Sequence, residues 1–120
     1  MSRFTAPVTH IRRGLSTLLN EGRDVEDRLT DVLDQELFGR LGIASLSMLL
    51  YWWRPDRYPP FNVRTRQFLA DIRLATRGAS AASPATYRRW LAYADEIARE
   101  YRLPSRGHVD LMVSEYREGA

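Results

Sequence analysis

Apolar residues recur every three or four positions along most of the chain, which is the spacing of one face of a helix. The clearest example comprises Tyr87, Trp90, Leu91, Ala94, Ile97, Ala98 and Tyr101. No stretch alternates apolar and polar residues as a strand would, and no segment is repeated. The pattern therefore predicts an all-α fold, a single compact domain over residues 1–120 with about six helices. Residues 83–118 are expected to form a C-terminal helical pair.

Local signals predict where these helices begin and end. Asp24, Asn62 and Ser83 are N-cap candidates, and Asp27 follows Asp24 in a position like that of a capping box. Glu21-Gly22 closes the first helix, and Leu103-Pro104 closes the fifth. The residues of the first helix expected to face the core are Val8, Ile11, Leu15, Leu18 and Leu19.

Composition excludes several classes of protein. With 44% apolar residues among 120, the chain can form one core. Its longest largely apolar stretch, residues 46–53 with Ser47 inside it, is far shorter than the roughly 20 residues of a membrane span. The first residues lack the apolar segment of a secretory signal, so we expect a cytoplasmic protein with no membrane partner. Cysteine is absent, which excludes disulfides and thiolate metal sites, and His10 and His108 are too isolated for a metal site.

The net charge of +3 is distributed unevenly. Residues 21–36 carry seven acids against two arginines, whereas residues 37–92 carry nine arginines against two aspartates. All 18 basic residues are arginine, so the chain has no lysine that could form a Schiff base. The basic segment includes a glycine- and proline-rich stretch, where a positive surface would favour an anionic partner such as nucleic acid.

That stretch, residues 41–68, has a recognisable order of parts. A glycine turn, Gly39-Arg40-Leu41-Gly42, precedes an apolar helix, the loop RPDRYPP follows, and Asn62 then caps a helix with Arg64 and Arg66. This order resembles the DNA-docking core of the helix-hairpin-helix DNA glycosylases, with the resemblance covering about residues 37–77. Pro60-Phe61-Asn62 stands where that family has Pro-x-Asp, and Asn62 follows Gly42 by 20 residues. The family's usual turn is Gly-x-Gly, so the turn departs from the pattern.

Two substitutions separate this scaffold from the family's chemistry. The family's catalytic carboxylate would stand at Asn62, and the lysine nucleophile of its bifunctional members would stand at Ala44. The family's iron–sulfur cysteines are also absent. The resemblance therefore implies a glycosylase-like domain that binds DNA without altering it. More loosely, the chain resembles small helical modules attached to prokaryotic restriction or defence proteins.

The resemblance and the charge pattern together imply a surface that grips the phosphates of double-stranded DNA. The residues expected to form it are Gly39, Arg40, Gly42, Arg54, Arg57, Asn62, Arg64, Arg66 and Arg73. Arg66, Arg73 and Arg77 would form one stripe on the fourth helix. No cofactor is expected, although the resemblance allows a monovalent cation at the hairpin turn. Trp52 and Tyr58 could stack on bases, whereas Trp53 and Phe61 fit a core.

Other functions remain open at this point. The opposed charges of the second and fourth helices could equally drive self-association, which would make the chain a protein-interaction or oligomerisation module. The arginine stripe could also be a solvated face. A divergent DNA glycosylase would need another acid, and Asp56 and Asp110 are the candidates. For Asp110 and His108, hydrogen bonding at a helix start is the simpler role, and Ser45 and Ser47 are expected to be small packing residues.

Overall fold

All regular structure in the described residues, 8–71 and 83–119 of a computed structural model, is helical, which confirms the all-α prediction. The helices are α1 (Val8–Leu18), α2 (Val25–Asp34), α3 (Ile43–Trp53), α4 (Val63–Asp71), α5 (Pro84–Glu100) and α6 (Val109–Gly119). A 3-10 turn, Arg106–His108, leads into α6. Helix α2 packs against α1 and α5, and α4 packs against α6. No helix in these ranges is both long enough and apolar enough to cross a membrane.

The three predicted N-caps are confirmed by hydrogen bonds. The Asp24 carboxylate accepts from the Glu26 N–H at 3.0 Å. A capping box would instead use the N–H of Asp27, so this cap is not a capping box. Asn62 Oδ1 accepts from the Thr65 N–H at 3.0 Å. Ser83 Oγ accepts from the Thr86 N–H at 3.1 Å, and Pro84 follows in the first turn. Each bond satisfies a backbone N–H that has no partner within its helix.

Helices α2 and α5 end in the same way, with a left-handed residue that is not glycine. Glu36 has φ 47° and Arg102 has φ 56°. The chain then turns back in a Schellman motif, in which the next N–H reaches a carbonyl five residues earlier. The two bonds run from the Leu37 N–H to the Val32 carbonyl (3.1 Å) and from the Leu103 N–H to the Ala98 carbonyl (2.8 Å). Helix α5 therefore ends at Glu100, before the predicted stop at Leu103-Pro104.

The core lies between these helices and receives at least one large side chain from each of the helices α1 to α6. The bulkiest fully buried side chains are Trp90, Tyr87, Phe61, Leu18, Leu29, Leu37, Leu46, Leu50, Val32, Val109 and Val113. The apolar face predicted for α5 is confirmed as far as Ala98, but Tyr101 is 60% exposed because it follows the end of the helix.

Helix α1 turns only part of the predicted face inward: Leu18 is buried, and Ile11 and Leu19 pack against the core. Val8 is 68% exposed and Leu15 is 40% exposed, so the prediction that both face the core is wrong. Gly14 is buried instead, and a Cβ atom placed on it would lie 2.6 Å from the ring of Phe38. The ring of Phe38 occupies the space that a side chain at position 14 would need. Only glycine at this position allows α1 to pack against the ring.

The loop between α3 and α4 is unusual because its second half, residues 58–61, is buried. Buried backbone groups need hydrogen-bond partners, and side chains from other segments provide them here. Tyr87 Oη donates to the Pro59 carbonyl at 3.0 Å, and Thr65 Oγ1 donates to the Pro60 carbonyl at 3.0 Å. The Phe61 N–H donates to Ser47 Oγ at 2.9 Å. The loop is thereby part of the core.

The first half of this loop contacts the 3-10 turn at Gly107. The Gly107 N–H donates to the Asp56 carbonyl at 3.1 Å. A Cβ atom on Gly107 would lie 1.7 Å from the carbonyl oxygen of Pro55, so only glycine allows the two backbones to approach this closely.

We expect the substitution Arg102→Gly to stabilise the protein by about 0.5–1 kcal/mol, since it removes a left-handed conformation that costs a side-chain-bearing residue more than glycine. Arg89→Gly is the matched control, because it places glycine at an exposed position inside α5 and should destabilise by about 1 kcal/mol. Urea unfolding monitored by circular dichroism measures both free energies of unfolding. A loss of stability in Arg102→Gly would contradict the assigned helix end.

We expect Gly107→Ala to destabilise the protein by about 3 kcal/mol, because backbone on both sides would have to move. Gly42→Ala is its control, since a Cβ atom there meets nothing within 4 Å, and it should cost under about 1 kcal/mol. Thermal and urea unfolding compare the two variants. Equal effects would show that the contact between Gly107 and Pro55 does not constrain the fold.

Candidate nucleic-acid interface

The turn between α2 and α3 leaves the start of α3 open. Gly39 adopts a left-handed conformation with φ 65°, which glycine accepts without strain. Gly42 is the N-cap of α3, it is exposed, and no side chain caps the first N–H groups of the helix. A Cβ atom on Gly42 would have no neighbour within 4 Å. A phosphate could therefore approach the main chain at the positive end of this helix.

Ser47 joins this helix start to the start of α4. Its hydroxyl accepts from the Phe61 N–H at 2.9 Å and donates to the Ala44 carbonyl at 2.8 Å. Because Asn62 follows Phe61 directly, the capped start of α4 is held beside the first half of α3. Ser47 is fully buried, which agrees with a packing role, but sequence reasoning missed its hydrogen bonds. A serine on an apolar helix face was the only signal that could have indicated them.

The predicted arginines do not form one surface. Arg40 is exposed in the α2–α3 turn and forms no ion pair or hydrogen bond with the described part of the chain. Arg64 is exposed near the start of α4, and its guanidinium donates to Ser114 Oγ on α6 at 2.8 Å. Arg66 is also exposed on α4. Arg73 and Arg77 lie outside the described residues. Arg40 in the α2–α3 turn and Arg64 on α4 therefore remain as cations near the two helix starts that Ser47 connects.

Arg54 and Arg57 lie at the other end of α3. A helix rises about 1.5 Å per residue, which puts Arg54 about 18 Å from Gly42. Both guanidinium groups pair with Glu21, at 3.4 Å for Arg54 and 2.9 Å for Arg57. The two arginines and this one carboxylate carry a net charge of +1. Glu21 therefore reduces their contribution to a positive surface. The sequence did not indicate this pairing, because Glu21 and Arg57 are 36 positions apart in the chain.

Glu21 is the centre of a small polar cluster that sequence reasoning missed. Its carboxylate also accepts from Tyr58 Oη at 2.7 Å. This bond lowers the pKa of Glu21 below its ordinary 4.5, partial burial opposes the shift, and Arg57 and Arg54 reinforce it. Burial raises the pKa of Tyr58, and its ring is only 3% exposed. Tyr58 is therefore a core residue and not a surface for stacking bases.

Of the four aromatic residues near the loop, Trp52 is the exposed one, with 69% of its surface accessible. Trp53 is partly buried and stacks on Tyr58 with ring centroids 6.1 Å apart. The guanidinium of Arg54 lies over the Trp53 ring at 4.6 Å. Phe61 is fully buried, as expected for a core residue.

The two alternative acids occupy different environments. Asp110 is half-buried in the first turn of α6, and one of its carboxylate oxygens has no hydrogen-bond partner in the described part of the chain. Burial raises the pKa of Asp110, and the charge of Arg64 opposes that shift. Asp56 is exposed and lines a shallow pocket of about 280 Å³ with His108. His108 Nδ1 contacts Ser105 Oγ at 2.9 Å, which is the helix-start role expected for it.

Sequence reasoning also missed a cleft lined by arginines. Arg28, Arg57, Arg88 and Arg106 come from separate segments and meet at a cleft of about 670 Å³. Arg28 lies on the acidic helix α2 and is only 4% exposed. Among the described residues, no group of three or more histidine, aspartate or glutamate side chains is placed to hold a metal ion.

Comparison with protein-family models, curated proteins and solved structures finds no match to this chain.

We expect Glu21→Gln to lower stability at pH 7 by less than about 1 kcal/mol, because solvent screens these partly exposed ion pairs. The pKa of Glu21 is lowered in the folded state, so its stabilising effect is present above the ordinary value of 4.5 and lost as the pH falls through the folded value. The difference between wild type and variant should therefore vanish in strong acid. Urea unfolding between pH 3 and 7 measures it, with Glu96→Gln on exposed α5 surface as control. A difference that does not change with pH would contradict the ionic role of Glu21.

Proposed function

We propose that this chain is a non-catalytic DNA-binding domain that grips the phosphate backbone of a duplex, in the setting of a prokaryotic restriction or defence system. The observation that carries the proposal is the uncapped, sterically open start of α3, which Ser47 holds next to the start of α4.

In this proposal a phosphate oxygen accepts hydrogen bonds from the free N–H groups at the start of α3. The positive end of the helix dipole favours the phosphate charge, and Arg40 flanks it. Arg64 and Arg66 on α4 reach neighbouring phosphates. All of these contacts are to the backbone, which is the same for every sequence, so binding is expected to be independent of sequence. Arg54 and Arg57 contribute less, because a phosphate must replace Glu21 as their partner.

The surroundings of Asn62 and Ala44 support binding without catalysis. The Asn62 amide oxygen accepts from the Thr65 N–H at 3.0 Å and lies 3.2 Å from its hydroxyl, so it is engaged as a helix cap. A neutral amide cannot stabilise developing positive charge as a carboxylate does. Ala44 is exposed in the first turn of α3 and carries no nucleophile.

A second candidate function is protein interaction or oligomerisation. Trp52, Val63 and Leu111 are 69%, 66% and 63% exposed. Large apolar side chains at the surface stabilise an interface when a partner covers them. This alternative predicts a stable oligomer and no affinity for DNA.

We expect the wild-type chain to bind a 20-base-pair duplex with an affinity that falls steeply as salt concentration rises, because each neutralised phosphate releases counterions. Arg40→Ala should weaken binding severalfold and lower the slope of log K against log salt concentration by about one unit. Fluorescence anisotropy at several salt concentrations measures both quantities. Arg99→Ala, which removes an exposed arginine of α5, is the matched control and should bind as wild type does.

We expect Ala44→Glu to separate binding from stability. A carboxylate in the first turn of α3 interacts favourably with the positive end of the helix dipole and stabilises the helix by about 0.3–1 kcal/mol. The same carboxylate repels a phosphate that binds at this place. Affinity for the duplex should fall about tenfold while the melting temperature holds or rises. Ala44→Gln introduces a side chain of nearly the same size as that of glutamate but without its charge, and this variant should bind the duplex as wild type does.

Two results would contradict the DNA proposal. The first is equal loss of affinity in Arg40→Ala and Arg99→Ala. The second is no binding at low salt by a chain that light scattering shows to be a stable oligomer, which would favour the protein-interaction alternative.

A further inference from the structure

The arginine-lined cleft lies at the junction of five segments, one of which is the α1–α2 loop with Arg23. Arg28 comes from α2, Arg57 from the α3–α4 loop, Arg88 from α5 and Arg106 from the 3-10 turn. Its volume of about 670 Å³ falls within the range of pockets that hold small organic ligands. The cleft is separate from the open start of α3, because neither Arg40 nor Gly42 lines it.

Arg28 gives this cleft a buried positive charge that no carboxylate touches. Its two terminal nitrogens donate to neutral oxygens, the Leu18 carbonyl at 2.8 Å and Tyr58 Oη at 3.2 Å. Its Nε is buried and has no hydrogen-bond partner in the described part of the chain, and no carboxylate there lies within ion-pair distance. Compensation comes through Tyr58, whose ring centroid lies 5.7 Å from the guanidinium and whose hydroxyl donates to Glu21. A buried charge with only indirect compensation is destabilising, and an anion nearby would offset that cost.

The other arginines are held in place by carboxylates. Arg57 pairs with Glu21 at 2.9 Å, and Arg106 pairs with Asp95 at 3.1 Å. Arg88 lies 3.4 Å from Asp24, and its side chain is 59% exposed. These pairs orient the guanidinium groups while leaving part of each accessible. Arg106 also donates through Nε to the Arg57 carbonyl, and Arg88 lies 3.8 Å from Glu26. The guanidinium N–H groups that these partners leave can donate to the oxygens of a phosphate.

The carboxylates of the cleft also restrict what can enter. The lining contains five arginines, with Arg23 as the fifth, against the four acids Glu21, Asp24, Asp56 and Asp95. An extended polyanion would bring many phosphates against these acids, whereas a small ligand can place one phosphate among the arginines. Val25 and Leu91 add apolar wall for an organic group.

We propose that this cleft binds a small molecule through a single phosphate group, with Arg88 and Arg106 contacting the phosphate above the buried charge of Arg28. Either inorganic phosphate or a phosphate monoester of nucleotide size carries the required group. The proposal does not depend on DNA binding at the start of α3.

Isothermal titration calorimetry of the whole chain with inorganic phosphate, AMP and adenosine tests this inference. We expect inorganic phosphate and AMP to bind and adenosine not to bind. If AMP binds more tightly than inorganic phosphate, the ligand of the cleft is a phosphate ester. If the two bind with equal affinity, the ligand is free phosphate. Both results support the proposal. Binding of adenosine as tight as that of AMP would overturn it, because the phosphate would then contribute nothing. Absence of binding by all three probes at about 10 mM, a concentration that detects even very weak sites, would also overturn it.

Arg88 is exposed and Arg106 is partly buried, so a loss of binding in Arg88→Ala tests the site without disturbing the core, and circular dichroism checks that Arg106→Ala is folded. Arg88→Ala and Arg106→Ala should each weaken phosphate or AMP binding about tenfold, because each removes a charge-assisted contact. Arg99→Ala is the control and should leave it unchanged, because Arg99 is exposed on α5 and does not line the cleft. Arg88→Ala should also leave the affinity for the DNA duplex within about twofold of wild type. Loss of phosphate binding at the cleft is thereby distinguished from loss of DNA binding at the start of α3. Wild-type affinity in both Arg88→Ala and Arg106→Ala would overturn the assignment.

Discussion

The fold depends on the burial of the loop between α3 and α4. Residues 58–61 include two prolines and lie in the core, where each backbone group removed from water needs a partner. Ser47, Thr65 and Tyr87 supply hydroxyl groups to the backbone at residues 59–61. These bonds connect α3, α4 and α5 to the same loop, and the Gly107 contact adds the 3-10 turn. The relative positions of most functional candidates follow from this loop.

Ion pairing between distant segments changes the meaning of the charge pattern. The sequence places a basic surplus in residues 37–92, and the structure divides it. Glu21 pairs with Arg54 and Arg57, and Asp24 pairs with Arg88, so acids of the α1–α2 region neutralise part of that surplus. In the described part of the chain, the places with accessible positive charge include the helix starts near Arg40 and the arginine-lined cleft. The two proposals assign an anion of a different size to each of these places.

Features with a local cause were predictable. The caps at Asp24, Asn62 and Ser83 follow from side chains that bond to backbone within three residues, and the face of α5 follows from helical periodicity. The burial of Gly14 on the inward face of α1 was not predictable, because it depends on the ring of Phe38 filling the space above it. The left-handed residues Glu36 and Arg102 were also missed, since neither is the glycine that usually marks such a helix end.

The sequence by itself determined an all-α chain, the places where its helices begin, and a glycine turn followed by a capped basic helix. These properties depend on residues within a few positions of one another. Only the tertiary structure decided which charges are neutralised, which aromatic residues are buried and where five arginines meet. Contacts such as Arg57 with Glu21 or Arg28 with Tyr58 join residues 30 or more positions apart. Local spacing carries no information on them, because packing of the whole chain brings their side chains together.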